Sequence, residues 1–114
     1  MPHFVVDCSH DLLQIHDEAT IIARLHRAAT ASGLFDEADI KVRVNPYRIH
    51  AVGGAREDFI HVFGWIMQGR SVEQRAALSK AIVGELAGMF PALARIAANI
   101  AEFERATYCN RAML

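Results

Sequence analysis

Asp58-Phe59-Ile60-His61-Val62-Phe63-Gly64-Trp65-Ile66-Met67 runs straight into Gln68-Gly69-Arg70-Ser71-Val72-Glu73-Gln74. In the first stretch Phe59, His61, Phe63 and Trp65 fall on one side, and Ile60, Val62 and Ile66 on the other, which is the alternation of a strand. Gly69-Arg70-Ser71 predicts a sharp turn, and Ser71 with Gln74 predicts a capping box that opens a helix. Leu78, Ile82, Leu86 and Met89 recur at helical spacing as its buried stripe, with Gly84 and Gly88 expected to permit close packing. Pro91 predicts the end of that helix. From Ile96 to Glu104, Ile96, Ala98 and Ile100 alternate against Ala97, Asn99 and Ala101, so a further strand follows.

The same strand–helix–strand order stands upstream. Phe4-Val5-Val6 with Cys8 reads as a strand buried on both faces. Asp17 is the expected N-cap of a helix whose inner face carries Ile21, Leu25 and Ala28 and which Gly33 stops. Ile40, Val42 and Val44 alternate with Lys41, Arg43 and Asn45 in a strand that Pro46 is expected to end. Val52-Gly53-Gly54 marks the turn or loop between the halves. The fold class expected is α+β: two βαβ units, at about 2–46 and 58–106, in a single domain spanning 1–114. Right-handed crossovers would then give a mixed four-stranded sheet with both helices on one face. The other face is left uncovered, so an oligomer is the physical expectation.

The totals agree. The chain of 114 residues is 53% apolar with a formal net charge of −1, which excludes a disordered chain and gives no sign of a nucleic-acid partner. No apolar run is long enough for a membrane span, and the first residues lack the layout of a secretory signal. Cys8 and Cys109 are too few for a disulfide framework and fit a reducing cytoplasm.

Pro2 follows the initiator Met, which is expected to be trimmed, leaving a secondary amine at the start of an apolar strand. An α-amino group titrates near neutrality, and burial or nearby cations favour its neutral form, a usable base or nucleophile. Lys41 and Arg43, two apart on a strand, point the same way and can converge on a carboxylate. The same pair also fits a solvated edge strand that charge protects from aggregation. Arg70 precedes the helix cap, where free N–H groups already favour an anion; it fits either an anion site or a surface pair with Glu73. His61 reads as a hydrogen-bonded core histidine. His10, His16, His26 and His50 lack metal-ligand spacing, no phosphate-binding loop is present, and no Ser-His-Asp order stands out.

Pro2 opening a strand, with Gly69-Arg70-Ser71-Val72-Glu73-Gln74-Arg75 opening the second helix, resembles the tautomerase superfamily. Within it, Pro2-His3-Phe4-Val5-Val6-Asp7-Cys8-Ser9, Ala31-Ser32-Gly33-Leu34-Phe35 and the strand from Ile40 to Val44 resemble the 5-carboxymethyl-2-hydroxymuconate isomerases of bacterial homoprotocatechuate breakdown. The similarity runs over most of residues 2–90. The resemblance implies an isomerase without metal or other cofactor, acting on an unsaturated keto or enol dicarboxylate. It makes Pro2 the catalytic base and Arg70 a substrate-binding cation. Lys41 falls where the family has an arginine, and Arg43 matches a further arginine of the strand. It also implies a homotrimer with sites at subunit boundaries. Hydration or dehalogenation, decarboxylation, and a non-enzymatic trimer that binds an acid or a protein stay open as alternatives.

Overall fold

The structure is a computed structural model that describes residues 1–114. Its main elements are β1 (His3–Ser9), α1 (Glu18–Ala31), β2 (Lys41–Tyr47), β3 (Ile60–Met67), α2 (Val72–Met89) and β4 (Ile96–Phe103). The strands form one sheet in the order β2-β1-β3-β4. β1 pairs with β2 and β3 with β4 in parallel, while the two central strands run antiparallel. The two βαβ units are therefore joined along their first strands.

Both helices pack on one face because one side of every strand is apolar. Phe4, Val6, Cys8, Ile60 and Val62 meet Ile21, Leu25, Leu78, Ile82 and Leu86 in one buried cluster. Asp17 caps α1 by accepting from Thr20 N–H at 2.8 Å. Ser71 accepts from Gln74 N–H at 3.1 Å while Gln74 accepts from Ser71 N–H at 2.9 Å, completing the capping box of α2. Gly33 ends α1 with φ +71°, a left-handed conformation that suits glycine. Gly64 lies beneath Phe4, whose ring would be 3.3 Å from an added Cβ, and a Cβ there would also meet the Ile100 side chain.

Five expectations change. β1 is buried on its helix side only, since His3, Val5 and Asp7 are half-buried on a face that no helix covers. The inner stripe of α1 is Ile21, Leu25 and Ala29 rather than Ala28, which turns toward the groove between the helices. β2 continues through Pro46 to Tyr47; it is an edge strand, where proline's missing N–H need not break a ladder. Gly84 and Gly88 face open space, so neither serves close packing. His61 does hydrogen-bond, to Asn99 Oδ1 at 2.6 Å, but on the uncovered face rather than in the core.

Candidate active site

The topology brings several chain segments to one end of the sheet. β1 and β2 are parallel, so both begin there, with His3 opposite Lys41. β3 is antiparallel to β1 and ends there, with Trp65 opposite His3. The Gly69-Arg70-Ser71 turn that follows β3 is therefore carried to the start of β1. The segment after α1, with Leu34, and the helical turn Glu37–Asp39 before β2 reach the same end.

Pro2 is fully buried at this point. Its carbonyl accepts from Lys41 N–H at 3.1 Å, continuing the parallel ladder up to the terminus. Lys41 Nζ donates to the Asp39 carbonyl at 2.7 Å. Arg70 donates to the Leu34 carbonyl instead of pairing with Glu73. Arg43 Nη1 lies 3.1 Å from His3 Nδ1. An arginine has no lone pair to offer, so it is the donor and the imidazole accepts.

The electrostatics bear out the proximity. Burial holds the α-amino group of Met1 below its usual value; Asp39 opposes this, and Lys41 and Arg70 reinforce it. Burial also lowers the His3 imidazole, followed by Arg43, Lys41 and the amino terminus. Each cation favours the neutral form of the neighbouring base. One end of the sheet thus holds a chain terminus biased toward neutral amine, among Lys41 and Arg70, with His3 and Arg43 alongside. Such a cluster can take a proton at the amine and hold carboxylates at the cations.

Sequence reasoning named Pro2, Lys41, Arg43 and Arg70, and the structure places all of them at this end. Lys41 and Arg70 flank the terminus, whereas Arg43 points to His3 and the uncovered face. Asp39 and His3 were missed; the signal was position, Asp39 two residues before Lys41 and His3 next to Pro2. No group of three or more His, Cys, Asp or Glu side chains is placed to hold a metal ion. A roomier groove of about 520 Å³ lies between α1 and α2, but its lining is mostly apolar. Its charged residue, Glu85, is already held by Arg24 and Arg27, so that groove offers no chemistry.

Known proteins share this fold. The family described as 5-carboxymethyl-2-hydroxymuconate isomerase matches residues 2–108, so the likeness runs past α2 and through β4. A 5-carboxymethyl-2-hydroxymuconate Delta-isomerase of Escherichia coli is 31% identical over 77 residues, 66% of this chain. That stretch spans 61% of the Escherichia coli protein's own length. The crystal structure of a 5-carboxymethyl-2-hydroxymuconate isomerase from Deinococcus radiodurans R1 superposes with a TM-score of 0.84 at 22% identity, covering 96% of this chain and 88% of that one. A structure described as the F6 fused 4-OT wild type asymmetric trimer gives a TM-score of 0.82 at 14% identity, over 96% and 92% of the two chains. With the family's pattern matched over residues 2–108 of the chain and the fold shared, the chain belongs to the 5-carboxymethyl-2-hydroxymuconate isomerase family.

Proposed function

We propose that the chain is a cofactor-independent isomerase that moves a double bond in an unsaturated keto or enol dicarboxylate such as 5-carboxymethyl-2-hydroxymuconate. Removal of Met1 would free the Pro2 nitrogen, which is a tertiary amide with no basic lone pair while Met1 is attached. The free amine takes a proton from the enol oxygen or a carbon of the substrate and returns it to another carbon, so the reaction is balanced without oxidant or water. Between the transfers the substrate is a dienolate, and Lys41, Arg43 and Arg70 stabilise that charge and anchor the carboxylates. The observation that carries this reading is the convergence of the terminus, Lys41 and Arg70 at one sheet end in a member of this isomerase family.

A homotrimer is part of the proposal. The sheet face away from the helices carries Phe63 and Trp65, 39% and 42% exposed, and another copy of the chain is the surface proposed to cover it. The fold's likeness to a trimeric assembly supports that choice.

Intact-mass measurement on protein from its own host, paired with kinetics of Pro2→Ala, tests the mechanism. The mass should correspond to a chain beginning at Pro2. Pro2→Ala should keep the fold and lose rate on the order of 10²-fold, as for a displaced general base. Full retention of Met1 in an active preparation, or an unaltered rate in Pro2→Ala, would rule the proline mechanism out.

A further inference from the structure

Arg70 stands on a turn that its own sequence leaves loose. Gly69 precedes it at φ +117°, a conformation that glycine adopts freely and other residues rarely do. Such a turn keeps one shape only if its neighbours hold it. On one side Arg70 reaches the Leu34 carbonyl and Ser71 caps α2. On the other side the hold comes from β4 and the residues just after it. Gln68 N–H donates to the Phe103 carbonyl at 3.1 Å, and Gly69 N–H donates to Glu102 Oε2 at 3.3 Å. Arg105 Nη2 donates to the Gln68 carbonyl at 3.3 Å.

Glu102 is itself held. It follows Ile96, Ala98 and Ile100 along the side of β4 that packs on the core. There Arg75 Nη1 lies 3.7 Å from Glu102 Oε1, with the two side chains 28% and 30% exposed. Arg75 is near the start of α2, where the helix dipole disfavours a cation, and its Nε is buried without a hydrogen-bond partner. An anion is what that guanidinium needs beside it. The Glu102 carboxylate therefore faces two ways, one oxygen to Arg75 and the other to the Gly69 N–H. We propose that Glu102, locked by Arg75, is a positioning residue for Arg70: its bond to Gly69 fixes the turn and so the place where Arg70 meets a substrate carboxylate. That role rests on the proposed function, which gives Arg70 the carboxylate. Glu102 is an anion, so it acts through the turn and not by touching an acidic substrate.

Amide hydrogen exchange reads the hold on the turn without any turnover. In Glu102→Ala the Gly69 N–H should exchange about 10-fold faster, as for the loss of a hydrogen bond to a charged acceptor. The amides of β1 should keep their rates, which separates a loosened turn from a loosened fold. Glu102→Ala should also lower kcat/KM for 5-carboxymethyl-2-hydroxymuconate by about 10–10²-fold, the penalty of misplacing a group by about 1 Å. Glu102→Gln keeps an oxygen for Gly69 and should lose less. In Arg70→Ala protein, adding Glu102→Ala should cost nothing more, because no guanidinium is left to place. Unchanged Gly69 exchange, a Glu102→Gln enzyme as impaired as Glu102→Ala, or a full extra loss in the Arg70→Ala background overturns the positioning role. Kinetics of the single variants keep the two readings apart. A harmless Glu102→Ala beside a costly Arg70→Ala sinks the positioning role alone, whereas a fully active Pro2→Ala sinks the proline mechanism and leaves the coupling of Glu102 to Arg70 standing.

Discussion

At the start of β1 the proton chemistry of single residues is set by what surrounds them. The surroundings that lower the α-amino group, burial first and then Lys41 and Arg70 against Asp39, would act on an amine at Pro2 as well. A lowered pKa means that the neutral amine persists further into acid. The acid limb of kcat/KM should therefore lie below the usual α-amino range of about 7.7–8.0, and Arg70→Gln should move it upward. A limb at or above that range in the unsubstituted enzyme would contradict the assignment. Arg70→Ala should cost about 2–5 kcal/mol of transition-state stabilisation if its guanidinium grips a carboxylate. Lys41→Arg should be tolerated or improve use of a dicarboxylate, because it supplies a bidentate fork. Steady-state kinetics on a dienol dicarboxylate and its monoacid analogue check both, and small, equal effects on the two substrates would remove the anchoring role. Cys8 behaves in the opposite way. Burial pushes its thiol up to about 11, helped by Asp7 and Glu18, so the neutral thiol adds to stability below the unfolded value near 9 and that contribution is lost as pH rises toward 11. In Cys109→Ser protein, Cys8 should react with a disulfide reagent only after denaturant is added; prompt reaction in native buffer would show that it is accessible.

Among the elements, the turn that opens α2 does two jobs. Ser71 caps the helix, and the same turn holds Arg70 against the carbonyl of Leu34. Ser71→Ala should lower stability by about 0.5–2 kcal/mol, the usual loss for an N-cap, and denaturant unfolding would measure it. Deeper in, Ile82 is 1% exposed on the central stripe, and Ile82→Ala should cost about 2–5 kcal/mol because the cavity cannot fully close. A loss under 1 kcal/mol would mean that the helix–sheet interface is looser than the buried cluster implies. The face of α2 that carries Gly84 and Gly88 has no neighbour within reach of a Cβ, so alanine there should be neutral or stabilising through helix propensity.

For the molecule as a whole, the uncovered sheet face is the decisive feature. Val5, Phe63 and Trp65 share it with Asp7, Asn45, His61 and Asn99, a mixed surface that a single chain leaves half in water. Light scattering should give a mass near three times the 12.6 kDa chain. Phe63→Asp should dissociate the assembly, since a charge without a partner would have to be buried at the interface. A stable monomer of the unsubstituted protein would contradict the trimer. No helix is long and apolar enough to cross a membrane.

Local signals were enough for most of the architecture. Alternation in β3 and β4, the Asp17 and Ser71 caps, and the stripe Leu78-Ile82-Leu86-Met89 each act through neighbours a few residues away, so they can be read along the chain. Family likeness, carried by the segment after Pro2 and by the Gly69-Arg70-Ser71 turn, was legible in the same way. What lies between elements was not. Alternation in β1 could not say that one of its faces meets no helix, because that depends on where α1 and α2 both land. Spacing could not say that Gly84 and Gly88 face solvent, or that Pro46 lies on an edge strand and can stay within it. Lys41 and Arg43 look equivalent as i and i+2 partners. Only the register of four strands sends Lys41 to the terminus with Arg70 and sets Arg43 on His3, beside Trp65 and Phe103. Those contacts join residues far apart in sequence, and pairing register, which no single segment encodes, decides which of them meet.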